Sequence, residues 1–525
     1  MFASKDFLQY LNEFEEIGYV DEVISSIVHI SGLPNAKLGE IIIFETGEFG
    51  QVISLTFKKV EAIFFSELPV KVGTKVTRTN QKFLVPVGDE LLGNCIDPLG
   101  FTITTKSVPK KITNLRPVDI VPTGIETREK IKQILDTGVT TVDMMIPIGK
   151  GQRQLVIGDR KTGKTDFLRK AILNQAKQGT ICIYTAIGQK KIDIKKLEEF
   201  FIANKVMENI IIVASNPQEP IGRIYITPYT AMTIAEYFRD SGRDVMLVLD
   251  DLTTHAKFYR EIALLGGRFP GRNSYPGDIF YTHAKLLERA GNFKVGSSEV
   301  SITCFPVVET TQGDLSGYIQ TNIMSMTDGH IYFDSNLFAQ GRRPAINTFL
   351  SVTRVGHQTQ SPLSREINRE LTSFLNLFDK MQNYVHFGAE LSESIKHTLA
   401  IGEKIINFFD QETNRIIAPN LQIFLFCLLW NGLWQDKSVQ TMISDMEKIM
   451  EAYDNGEAKK KIDEIIQNSK SFNELLGILR KEQTQILQDF KIFQAQPTPP
   501  PPPVQSTPPQ PNVTKDIKNS KKISK

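Results

Sequence analysis

At 525 residues the chain exceeds what one hydrophobic core organises, so it is expected to divide into several domains. Its 61 basic and 59 acidic side chains nearly cancel, and a formal charge of +2 removes any general electrostatic reason to bind nucleic acid or an anionic membrane. Cys95, Cys182, Cys304 and Cys427 stand far apart without a CxxC pair or clustered histidines, which argues against a zinc site or disulfide framework and predicts buried, reduced thiols.

Residues 1–17 are a short acidic segment, MFASKDFLQYLNEFEEI, without the apolar centre of a signal peptide. Residues 18–85 carry short β-rich runs (YVDEVISSIVHI, GEIIIFE, GQVISLTF, VEAIFFSEL) broken by Gly and Pro turns, which predicts a small antiparallel barrel or sandwich. Over residues 86–361 the rhythm changes. QLVIG, TICIYTAIG, NIIIVAS and DVMLVLDDL read as buried strands separated by helices, the pattern of an α/β domain with a parallel sheet covered on both faces. Residues 362–493 repeat apolar side chains at helical spacing, as in LSREINRELTSFLNLFDKMQNYV, and form a helical domain. The most apolar run there, Ile423 to Trp430, is too short to span a bilayer, so membrane association would go through a partner. Residues 494–525 are rich in proline, which fixes φ and lacks the donor N–H; an extended arm is expected, either a solvated tail or a docking ligand.

The chemistry concentrates in Gly158-Asp159-Arg160-Lys161-Thr162-Gly163-Lys164-Thr165, which fits the phosphate-binding pattern G-x-x-x-x-G-K-[ST]. An apolar strand (Leu155 to Ile157) precedes it and a helix-like run (Thr165 to Gln178) follows. The glycines let backbone N–H groups wrap the phosphates, Lys164 supplies a point charge to the β/γ-phosphates, and the Thr165 hydroxyl faces magnesium. DVMLVLDDL supports the same site. Asp250 at its end can reach a magnesium-bound water, whereas Asp251 is placed to cap the next helix. Hydrolysis also needs a group beside the γ-phosphate that activates water. The strand after the phosphate loop ends at Gln189, in GQK; an amide orients water but cannot take its proton, so the residues alone leave the activity open.

GDRKTGKT, AIGQK, VLDDL, FPGRNSYPGDIFYTHAKLLERAG, ISGLPNAKLGE, VPVGDELLGNCIDPLG, PIGKGQRQLVIGDR and NTFLSVTRVG together resemble the alpha subunit of F-type ATP synthases. The resemblance implies an N-terminal β-barrel, a RecA-like P-loop nucleotide domain and a C-terminal helical domain. It implies three alpha and three beta subunits alternating around a gamma-like central stalk, held by a peripheral stalk at the cytoplasmic face of the cell membrane and coupled to proton transport. In that family the beta subunit carries Glu in a GER motif and the alpha subunit Gln in GQK. Gln189 therefore implies a chain that holds Mg2+ with ATP or ADP without turning it over. SVTRVG implies that Arg354 is an arginine finger reaching the neighbouring beta site, where a guanidinium offsets transition-state charge on the γ-phosphate. Ser325, in IMSMTDG, matches a residue at the same interface. Arg160 matches one at the alpha subunit's own site, and Phe338, Arg343 and Pro344 in LFAQGRRPA match its base and ribose side.

The chain departs from the pattern in places. Lys161 stands where the family has Gln, and the Q-x-Q pair that closes over adenine falls on Asn414 and Ile416, which puts base selectivity in question. Abundant Lys, Ile, Asn and Phe point to an AT-rich genome of the mollicute kind, where paralogous ATP-synthase-like heads occur. The alternative of an alpha-like subunit driving a motility or surface machine therefore stays open. An autonomous RecA-like ring helicase would need its own catalytic Glu and basic central loops, and Gln189 and the near-neutral charge weigh against it.

Overall fold

The computed structural model describes residues 6–103, 112, 114–386, 392–412, 415–456 and 458–490. The Pro-rich arm expected over 494–525 lies outside them, as does Asn414. Helix α1 (Phe7–Phe14) opens on a capping box: Asp6 accepts from the Gln9 N–H at 2.8 Å and Gln9 returns the bond to the Asp6 N–H at 3.0 Å. It packs Phe7 and Tyr10 onto Ile43.

Strands β1 (Gly18–Ile24), β2 (Ile27–Ser31), β3 (Glu40–Phe44), β4 (Phe49–Leu55), β5 (Val60–Phe64) and β6 (Lys75–Lys82) close an antiparallel barrel in the order β1-β2-β5-β4-β3-β6. Val28, Ile30, Ile42, Phe44, Ala62 and Val76 fill it. The closing strand β6, KVTRTNQK, has no apolar alternation and is absent from the strands read in the sequence. Polar groups replace packing there. Thr77 Oγ1 donates to the Glu16 carbonyl at 2.8 Å, Thr79 Oγ1 to that of Ile41 at 2.6 Å, and buried Arg78 pairs with Glu40 at 3.2 Å.

Short strands β7 (Leu84–Pro86) and β9 (Leu115–Pro117) pair with each other, while β8 (Cys95–Ile96) joins the edge of the main sheet. That sheet adds β10 (Gln154–Gly158), β11 (Ile181–Ala186), β12 (Ile210–Ala214), β13 (Val245–Asp250), β14 (Gly291–Val295), β15 (Ser298–Glu309), β16 (Gly329–Phe333) and β17 (Val352–Thr353). Its order is β17-β16-β10-β15-β13-β11-β12-β8; β14 and β17 run antiparallel to their neighbours and the remaining pairings are parallel. Helices α2 (Thr140–Met145), α3 (Lys164–Lys177), α4 (Lys191–Ala203), α5 (Ile221–Asp240), α6 (Leu252–Leu265), α7 (Ile279–Leu287), α8 (Tyr318–Met326) and α9 (Ser335–Ala339) accompany it. Alternate strand residues serve opposite faces: Val156, Tyr184 and Val248 pack toward α3, Leu155, Ile183 and Leu249 toward α5 and α6. Two-sided burial is why these strands read as unbroken apolar runs.

The C-terminal domain is helical: α10 (Pro362–His386), α11 (Glu393–Phe409), α12 (Pro419–Trp430), α13 (Val439–Asp454), α14 (Lys459–Asn468), α15 (Phe472–Lys481) and α16 (Gln483–Asp489). The apolar run Ile423 to Trp430 forms the C-terminal part of α12, whose residues are mostly buried by the surrounding helices. Among the described residues no helix is long and apolar enough to cross a membrane. All four cysteines are free and buried, as expected.

Candidate functional site

The phosphate loop lies at the C-terminal end of β10 and runs into α3, whose first residue is Lys164. Two glycines are dictated by geometry. A Cβ on Gly158 would stand 2.4 Å from the Phe333 carbonyl oxygen of the adjacent strand, and Gly163 has φ +95°, a left-handed conformation that L side chains rarely adopt. Lys161 is also left-handed, at φ 63°. Thr162 Oγ1 closes the loop on the Asp159 carbonyl at 2.7 Å. Asp159 turns outward: its carboxylate accepts from Thr310 Oγ1 at 2.6 Å and the Gly313 N–H at 3.0 Å, so it shapes the loop. Exposed Arg160 pairs with Glu309 at 2.7 Å across a cleft of 710 Å³ lined by Thr253, Thr310 and Asp314.

Lys164 is buried and donates to the carbonyls of Gly158 at 2.8 Å and Asp159 at 2.6 Å. Burial lowers its pKa, while Glu309, Asp250, Asp251 and Asp159 hold it up. Thr165, beside it, is exposed, and among the described residues its hydroxyl has no hydrogen-bond partner. Asp250 and Asp251 take different partners. Asp251 caps α6 through the Thr254 N–H at 2.6 Å, and burial, with Asp250 and Glu309 nearby, pushes its carboxyl up to about 7. Asp250 Oδ2 accepts from the Tyr184 hydroxyl and from Gln189 Nε2 at 2.8 Å, and burial raises its pKa. Strand β11 ends at Ala186, so Gln189 sits in the following loop and not at the strand end; its N–H donates to the Ser215 carbonyl at 3.0 Å.

Because Gly158 of β10 is in register with Phe333 of β16, the segment after β16 returns beside the phosphate loop. It brings Phe338, Arg343 and Pro344. The Arg343 guanidinium lies 3.6 Å from the Phe338 ring centroid and donates to the Phe338 carbonyl at 3.0 Å. Arg354 is elsewhere. It follows β17, whose Thr353 pairs with Gly329 at the opposite end of β16, about 13 Å along the strand at ~3.3 Å per residue. Its side chain is exposed and, among the described residues, has no hydrogen bond or ion pair. Ser325 is at the same end, with its hydroxyl turned back to the Asn322 carbonyl at 2.7 Å. Beneath Arg354 is a clamp. Asp328 accepts from Arg153 Nη2 at 2.8 Å, Nε at 3.1 Å and N–H at 2.9 Å, and its carbonyl accepts the Arg354 N–H at 2.9 Å.

A family profile described as "ATP synthase alpha/beta family, nucleotide-binding domain" matches residues 138–353, and "ATP synthase alpha/beta chain, C terminal domain" matches 360–487. The chain belongs to the ATP synthase alpha/beta family. Its relatives include proteins named ATP synthase subunit alpha from Mycoplasma capricolum (38% identical, covering 91% of this chain and 91% of the relative) and Acholeplasma laidlawii (38%, 85% and 89%). A third, from Carsonella ruddii, is 41% identical over 76% of this chain and 85% of the relative. The six-stranded barrel, the α/β nucleotide domain and the helical domain match what the ATP synthase alpha/beta resemblance implies.

Within this ATP synthase alpha/beta architecture, two buried residues escaped the sequence reading. Tyr184 looks like one more apolar residue of β11. Gln411 lies in a polar loop without periodicity, yet it knots four segments. Its Nε2 donates to the Gly138 carbonyl at 2.8 Å, its Oε1 accepts the Thr140 N–H at 3.2 Å, its N–H donates to the Arg343 carbonyl at 2.7 Å, and its own carbonyl accepts Lys170 Nζ at 3.0 Å. Only its burial reveals it. Ile416 is partly buried and packs against the core beside Gly138.

Proposed function

We propose that this chain is the non-catalytic, regulatory alpha subunit of a rotary ATP synthase head, binding Mg2+ with ATP or ADP in its own site and lending Arg354 to the neighbouring beta site. The location of Arg354 carries the second half. An exposed guanidinium without a partner, a strand-length from the chain's own phosphate loop, is of no use to the phosphates it would bind there and is presented to another molecule.

For the chain's own site, backbone N–H groups of the loop and Lys164 would hold the phosphates. The residues fit a divalent ion: Thr165 offers a free hydroxyl, and Asp250, Asp251, Glu309 and Asp159 surround a single buried Lys164 with negative charge. Thr165 and, through water, Asp250 would hold Mg2+, which neutralises phosphate charge when bound. Gln189 has no proton-accepting carboxylate, and its amide donates to Asp250, so this site lacks a base of its own at that position. Phe338, Arg343 and Pro344 would line the base and ribose side. Partners in this reading are beta subunits in an alternating ring, a gamma-like central stalk and a peripheral stalk, at the cytoplasmic face of the membrane.

The test is Arg354→Ala in the assembled complex. Turnover at saturating ATP should fall by about 10³ or more, while nucleotide binding by this chain stays at the parent value. Near-normal turnover would refute the finger assignment.

A further inference from the structure

Asp250 is 8% exposed, and an ionised carboxylate so placed must be met by donors. The structure supplies both to one oxygen. Tyr184, 1% exposed on the α3 side of β11, donates its hydroxyl to Oδ2, and Gln189 Nε2 donates to the same Oδ2 at 2.8 Å and to the Asp250 carbonyl at 3.1 Å. Among the described residues Oδ1 accepts nothing. Turning the carboxylate would break both side-chain bonds at once, so its orientation is fixed from two adjacent segments, β11 and the loop that follows it. A phenol, with an ordinary pKa of about 10, carries its proton throughout the physiological range and can donate it here.

We infer that Tyr184 and Gln189 form a two-pronged clamp that presents Asp250 Oδ1 to a water on the bound divalent ion, with Tyr184 as a positioning residue for divalent-cation binding and Gln189 committed to the carboxylate. This rests on the reading of the site as one for a Mg–nucleotide. It also adds to why the site holds its ligand. The amide that would orient an attacking water is already engaged with the metal-site carboxylate.

The test uses the purified full chain and the fluorescent analogue trinitrophenyl-ATP, titrated with and without Mg2+. Tyr184→Phe keeps the ring and removes the donor; Gln189→Met keeps the shape and removes the other. Each should reduce the Mg2+-dependent gain in affinity about tenfold, the worth of one hydrogen bond to a charged group, and Tyr184→Phe should leave Mg2+-free affinity within twofold of the parent. An unchanged Mg2+ gain in Tyr184→Phe, or an equal loss with and without Mg2+, overturns the clamp alone. A parent chain whose affinity does not respond to Mg2+ overturns the Mg–nucleotide reading together with the clamp.

Discussion

Asp328 is the foundation of the segment that carries Arg354, and removing its carboxylate is an informative perturbation. Asp328→Ala would strip Arg153 of a two-point ion pair (2.8 and 3.1 Å) and leave the Arg153 N–H without its acceptor at 2.9 Å. Breaking a fully buried pair by deleting one partner costs about 3–5 kcal/mol, and exposed pairs are worth about 0–1. These side chains are 25% and 18% exposed, which places the loss at roughly 2–3 kcal/mol. That energy is local. It holds the turn before β16 against β10, and Arg354 hangs from the same turn through its N–H bond to the Asp328 carbonyl. A loss of about 2 kcal/mol makes a displaced turn some thirtyfold more populated relative to the ordered one. Steady-state ATP hydrolysis by the assembled complex should therefore fall, by up to about thirtyfold and less than on deletion of Arg354 itself, with little change in KM. Asp328→Asn, which keeps an acceptor oxygen and loses the charge, should fall between. Turnover within twofold of the parent in a complex that assembles normally would show that Arg354 does not depend on this clamp.

Other expectations follow from the same structure. Lys164→Ala should weaken nucleotide binding to this chain about tenfold to a hundredfold, the worth of a charge-assisted contact, while single-site hydrolysis by the complex persists; its complete loss would mean that this chain is the catalytic one. Gln411→Ala leaves the Gly138 carbonyl and the Thr140 N–H unmet, at a cost of about 1–3 kcal/mol each, and urea unfolding should show a clear loss of stability. Buried His255 and His283 face each other at 3.3 Å and are held neutral, with burial lowering His255 to about 4 and His283 well below its usual value. Above pH 6.5 neither state binds the proton and the stability is fully present; between 6.5 and 4 the unfolded chain takes up protons that the native one refuses. His255 alone then costs roughly 3 kcal/mol by pH 4. Asp136 and Asp251, both pushed up to about 7 chiefly by burial, slope the other way, so the check is comparative: His283→Phe should show a shallower acid loss of urea midpoint than the parent.

What could be read in the sequence, and what could not, divides by the kind of force involved. GDRKTGKT is legible because a backbone that must approach phosphate leaves glycines and a lysine at fixed offsets. The strands of the α/β domain are legible because two-sided burial makes them continuously apolar. Strand β6 is hidden because hydrogen bonds and an ion pair close the barrel where packing would have left an alternating pattern. Helix α1 is marked by Phe7, Tyr10, Leu11 and Phe14 at helical spacing behind a capping box of Asp6 and Gln9, a signal only two turns long inside an acidic segment. Asp251 as a cap follows from local chain chemistry. The partners of Asp250 do not, since Tyr184 and Gln189 reach it from another strand and its loop. Gln411 is the extreme case: nothing near it in sequence marks a residue whose partners Gly138, Thr140 and Lys170 lie hundreds of positions away.

The Lys170–Gln411 bond has a mechanical meaning. Lys170 sits on the helix that begins with Lys164, and Gln411 belongs to the α11–α12 loop of the helical domain, while one hydrophobic core runs unbroken from α3 through α12. Helix α3 and the C-terminal helices are thus fastened twice, by a polar bond at one point and by continuous apolar packing around it, and separating them would have to break both.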